Sequence, residues 1–158
     1  MTYTNNLTAE ETAFVENTVK LIRFERIGWL VNSVLYVFAS FLYMLSAILF
    51  FVLIRIYSND VTAGVPSVAS YIYIAMFFYC SFLFLIIAII GFIALKKSGL
   101  YYSTARTDIM TTYNRCTSIG MLVFCYLFGG YAFPLFLVNF IRLRSHLSVV
   151  KSISERQV

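Results

Sequence analysis

Between Ile27 and Ile54 the chain carries no charged side chain, and that one run decides what solvent the protein must meet. A helix rises 1.5 Å per residue, so about 20 apolar residues cross a hydrocarbon core roughly 30 Å thick. The segment 27–56 does this with length to spare. A second segment, 67–95, is as apolar and stops at Lys96-Lys97. Composition agrees: 61% of residues are hydrophobic and 12% charged, against roughly 45–50% and 25% in soluble domains. The expected fold class is an all-α integral membrane protein, with 1–158 forming one membrane domain.

The first span also shows how it packs. Asn32 and Ser33, Ala39 and Ser40, and Ser46 and Ala47 recur every seven positions and so lie along one stripe of a helix. Small residues in such a stripe let a second backbone approach closely, and their polar groups can bond across the contact. Tyr36, Tyr43 and Phe50 keep the same period on a neighbouring face. Heptad spacing favours a shallow left-handed crossing. The stripe is expected to be a helix-packing seam, either to the chain's own later helices or to a partner.

A third apolar segment, 116–141, differs in kind. Gly129-Gly130 interrupts it at the middle and Pro134 follows four residues later. Two readings stand: one span kinked at these residues, or a short helical hairpin that enters and leaves on the same side. Gly129, Gly130 and Pro134 are then a hinge or a re-entrant turn. Basic residues favour the hairpin. It puts every Lys and Arg except Arg55 on one side, where the positive-inside rule makes that side cytoplasmic. Length opposes it, because each arm is shorter than the hydrocarbon core is thick.

The flanking segments are amphipathic or basic. Residues 8–26 open on a capping box, Thr8 with Glu11 three positions on. They place Phe14, Val15, Val19 and Ile22 on one side. They read as an amphipathic helix on the membrane surface or as an extension of the first span. Residues 98–115 form a polar cytoplasmic connection, with a break expected at Ser98-Gly99 and a short interfacial helix carrying Leu100, Tyr101, Ala105, Ile109 and Tyr113. Residues 142–158 read as a basic tail. The run between the two spans, Tyr57 to Pro66, is the outside loop. No leader-like cleavage pattern follows the first apolar run. The N-terminus is expected in the cytoplasm and the protein in the cell (plasma) membrane.

Apart from Arg55 at the end of the first, the apolar segments lack Asp, Glu, Lys, Arg and His, which argues against proton-coupled pumps and ion-coupled carriers. One histidine, His146, excludes bis-histidine haem within this chain. Cys80, Cys116 and Cys125 have neither zinc nor disulfide spacing and read as small packing residues. Cys116, beside Arg115, is also an acylation candidate. No catalytic residue, metal site or cofactor is expected. The modest net charge of +5 suits anionic lipid head groups and not nucleic acid. The sequence thus points to a non-enzymatic accessory or assembly subunit, packing with itself or with a larger membrane complex. A small oligomeric pore of the holin type is the alternative, and a lipid-modifying membrane enzyme the third reading.

Overall fold

Thr8 and Glu11 cap the first helix reciprocally. The Thr8 amide donates to Glu11 Oε2 at 2.9 Å and the Glu11 amide donates to Thr8 Oγ1 at 3.3 Å, which satisfies two amides that a helix start leaves bare. From this cap α1 runs unbroken over Ala9–Ser58. The computed structural model describes residues 7–58 and 68–157, so the expected outside loop lies largely beyond the described residues. After it come α2 (Val68–Thr104), α3 (Ile109–Cys116), α4 (Ile119–Phe128), α5 (Ala132–Ser145) and α6 (Leu147–Gln157). Among the described residues every element is helical. Two helices, α1 and α2, are long and apolar enough to cross a membrane.

By its internal contacts the chain divides into two compact units, Ser33–Ile89 and the pair of segments Met1–Asn32 with Ile90–Val158. The first, the central unit, is two antiparallel helix stretches with large apolar side chains exposed around them, Phe41 and Phe82 at 63% each among them. Side chains so exposed need lipid or a neighbour rather than water.

The second, the terminal unit, is built the other way round. Val19 and Ile22 of α1 pack with Ile109 of α3, Leu143 of α5 and Val150 and Ile153 of α6, all nearly or wholly buried. A second cluster gathers Trp29, Ala94, Cys125, Ala132, Phe136 and Phe140. The apolar side of residues 8–26 is therefore covered by the chain's own α3, α5 and α6, and a membrane surface finds that side already occupied. Residues 142–158 are likewise more than a charged tail. They complete α5, bend by 79° at His146 and form α6, whose Ser152 and Arg156 bond to Glu11 at 2.6 and 2.9 Å.

The expected break at Ser98-Gly99 does not occur, because α2 continues to Thr104. Ser98 Oγ returns its proton to the Leu95 carbonyl at 2.9 Å, so the hydroxyl is satisfied without leaving the helix. The short interfacial helix is consequently divided: Leu100 and Tyr101 lie in the closing turns of α2, while Ile109 and Tyr113 belong to α3. Asp108 caps α3 by accepting the Thr111 amide at 2.9 Å.

Candidate functional site

In the central unit the seam residues meet the chain's own second helix. Ser40 Oγ donates to the Ser81 carbonyl at 2.9 Å, and Ser81 Oγ donates to the Ser40 carbonyl at 2.9 Å. Only small residues let two backbones come close enough for each hydroxyl to reach the other's carbonyl. Ser33 and Ala47, seven positions to either side of Ser40, are wholly buried, while Ala39 and Ser46 are half-buried beside them. The neighbouring aromatic face forms a ladder of rings. Tyr36 stacks on Phe84, Tyr43 lies between Phe84 and Phe77, and Phe50 reaches Phe77, with centroids 5.3 to 5.9 Å apart.

Asn32 belongs to the terminal unit and serves a different contact. Its Nδ2 donates to the Phe128 carbonyl at 3.0 Å, at the C-terminal end of α4, where carbonyls lack helical partners. The chain turns there. The Gly129 amide still donates to Cys125 O at 2.8 Å, and Ala132 and Phe133 donate to the Gly129 and Gly130 carbonyls at 2.7 and 3.2 Å. These bonds meet the requirement that a turn among apolar segments keep its freed backbone groups satisfied. Gly130 has φ +43°, and a Cβ there would collide with the Asn32 amide. Pro134 sits in the first turn of α5, where a missing amide proton breaks no helical bond.

The two ends of this apolar segment meet. Asn139 Nδ2 donates to Cys116 Sγ at 3.6 Å, whereas a continuous helix from 116 to 139 would separate them by about 35 Å. The segment therefore folds back, and the kinked-span expectation gives way. α4, at 10 residues, is about 15 Å long and could not cross a bilayer alone. Gly28 of α1 makes the fold-back fit: a Cβ there would stand 2.8 Å from Ala132 Cα. Cys116 is wholly buried, which removes it as an acylation candidate.

Beside this hairpin lies the polar arrangement that sequence reasoning missed. Glu25 and Arg115 form an ion pair at 3.4 Å with side chains 1% and 6% exposed. Trp29 Nε1 donates to the same Glu25 oxygen at 3.3 Å, and the Arg115 guanidinium lies 4.0 Å from the centre of the Tyr101 ring. Glu25 Oε2 and Arg115 Nη1 are buried without a protein partner. A cavity of about 500 Å³ opens next to the pair. Trp29, Ile93, Met121 and Phe124 supply its apolar wall, and Lys97, Tyr101 and Arg115 its polar side. The signal in the sequence was slight: Glu25 and Arg115 stand 90 positions apart, and each alone resembles a charge flanking an apolar run.

The arrangement can hold an anion or an amphiphile. Among the described residues no three His, Cys, Asp or Glu side chains gather where they could hold a metal ion. His146 Nδ1 lies 2.8 Å from Ser145 Oγ, with its ring against Phe14. Comparison with protein-family models, with curated proteins and with solved structures finds no match to this chain.

Proposed function

We propose that this chain is a non-enzymatic multi-pass membrane subunit that works by packing, with copies of itself or with a larger membrane complex. The supporting observation is where its polar chemistry goes. The carboxylates of Glu11, Glu16, Glu25 and Asp108 are each engaged in holding helices: with Ser152 and Arg156, with Arg106, with Arg115, and with the α3 amides. Arg142, too, donates to the Phe14 carbonyl at 2.9 Å. Groups committed in this way fix shape, and the exposed apolar surface of the central unit is then what the chain offers to a neighbour. Native mass measurement after gentle solubilisation tests this. Particles holding more than one chain are expected, and a lone monomer at every detergent concentration overturns the reading.

The proposal includes a topology, with Met1 and residues 142–158 both cytoplasmic at the cell membrane. The ion pairs Glu16–Arg106 and Glu11–Arg156 support a common side for all three polar segments, and the positive-inside rule supports the cytoplasm. Glu10→Cys and Glu155→Cys, both at exposed positions, should resist an impermeant thiol reagent on intact cells, while Asn59→Cys reacts. Labelling of either terminal site overturns the topology. The pore alternative is less well supported, because Ser40, Ser46 and Ser81 direct their hydroxyls to backbone carbonyls of the helix pair.

A further inference from the structure

We infer that the cavity beside Glu25 and Arg115 is a binding site for one anionic phospholipid, its phosphate held by Arg115 and Lys97 and its upper chain lying along Trp29 and Phe124. The proposal goes beyond the packing role and needs only that the chain is embedded in a membrane. Four observations carry it. The volume, about 500 Å³, falls within the roughly 300–1,000 Å³ typical of small-molecule sites. The lining is divided by chemistry, with Trp29, Ile90, Ile93 and Phe124 against Lys97 and Arg115, as an amphiphile requires. Lys97 closes the second apolar run, the level at which a phospholipid phosphate lies.

The fourth is Arg115 itself. Its side chain is only 6% exposed, it bonds to Glu25 through Nη2, and its Nη1 has no protein partner. A guanidinium held over the Tyr101 ring with one nitrogen unused is arranged to donate to a phosphate oxygen. Glu25 cancels one of the positive charges, so the cavity with its ion pair keeps a net single positive charge from Lys97. That matches the single negative charge of a phosphodiester lipid and disfavours a zwitterion.

Trp29 is the only tryptophan, so its fluorescence reports on this cavity. The protein is placed in nanodiscs with bromine-labelled phosphatidylglycerol or bromine-labelled phosphatidylcholine at matched mole fractions, and Trp29 quenching is measured. Phosphatidylglycerol should quench at the lower mole fraction. Lys97→Gln should reduce that preference about fivefold, the effect of one basic residue near anionic lipid. Lys96→Gln, at an exposed neighbour outside the cavity lining, should leave it unchanged. Equal loss in both variants means general surface attraction and overturns the site, as does equal quenching by the two lipids. Relief of quenching by inorganic phosphate means a site for the free ion and also overturns the lipid assignment. Absence of quenching by either lipid would instead refute embedding of this part of the chain.

Discussion

The two units of this protein solve opposite problems with one alphabet. In the central unit the polar groups are inside: Ser40 and Ser81 bond across the helix contact, and Phe, Leu and Ile face outward. The terminal unit has an apolar core, with Ile22, Ile109, Leu143 and Ile153 wholly buried, and most charges lie on its surface, although Ile119, Leu127 and Ile141 of the folded-back segment stay exposed. The two arrangements draw on different forces. Where hydrocarbon is outside, apolar burial brings little gain, and close packing with hydrogen bonds must hold helices together. Where water is outside, apolar burial drives folding. The terminal unit nevertheless buries one ion pair, a costly choice that becomes intelligible if the pair shapes the cavity beside it.

That ion pair offers the hardest test of the contrast. Arg115→Met leaves the Glu25 carboxylate buried without its charge partner, and stability should fall by about 3–5 kcal/mol. Adding Glu25→Leu should recover most of the loss, since an apolar pair can replace a buried ionic one. Thermal melts in detergent check both. If Arg115→Met melts like the parent, the pair is not buried as described and the comparison fails at its strongest point.

Next in size is the close approach at Gly28. Gly28→Ala puts a Cβ 2.8 Å from Ala132 Cα, and this overpacking should cost about 1–3 kcal/mol. Gly120→Ala meets only Ser118 Oγ at 3.7 Å and should be neutral or stabilising by about 0.5–1 kcal/mol, as a helical glycine is replaced. Equal melting temperatures for the two variants would show that α1 does not receive the start of α5 in this way.

The central unit should respond more weakly. Ser40→Ala removes the bond its hydroxyl donates to the Ser81 carbonyl and leaves the Ser40 carbonyl to accept from Ser81, and inter-helix hydrogen bonds of this kind average about 0.6 kcal/mol. A loss above about 2 kcal/mol, read from the same melts, would mean the central unit depends on polar contacts more than membrane helices do. Ala39→Leu with Ser40→Leu should disturb it further by forcing the backbones apart, while Leu49→Ala, at a 54% exposed position, should have little effect.

Smallest is the response to acid. The Ser152 hydroxyl, followed by the Thr8 amide, holds the Glu11 carboxyl below its ordinary value, and Thr111 does the same for Asp108. A carboxyl depressed in the folded state adds stability above its unfolded pKa, and this is lost as pH falls through the folded value. Melting temperature should therefore change little from pH 7 to pH 5 through these groups and decline below about pH 4. Glu11→Gln should flatten the decline, and an unchanged acid profile in that variant would remove Glu11 from its cause.

What the sequence disclosed, and what it hid, follows the same division. The seven-residue stripe around Ser40 was legible because helix periodicity writes one face of one helix into a short window. The two apolar spans were legible from length alone. The Gly129-Gly130 interruption was visible, but its outcome depended on Asn32 and Gly28, about a hundred positions earlier, where nothing local marks a receiving surface. Glu25 and Arg115 were hidden for the same reason. The second helix of the basic tail, α6, escaped notice because only Val150 and Ile153 of it are wholly buried, too few to establish a period. Ser98-Gly99 misled in the opposite sense, since turn-forming residues sit inside a helix that packing sustains.

The Asn32–Phe128 bond has a consequence for biosynthesis. A ribosome delivers the amide that receives the Gly129-Gly130 turn long before it delivers the turn. When α4 and α5 emerge, neither is long enough to be held by a membrane alone, but a template for both is already in place on α1. Premature termination after α2 would leave that template vacant. Loss of the chain through Asn32 would strand the nascent hairpin with an unsheltered carbonyl and no seat for Ala132. Shortening the chain from its beginning should therefore hand quality-control proteases a far better substrate than shortening it from its end.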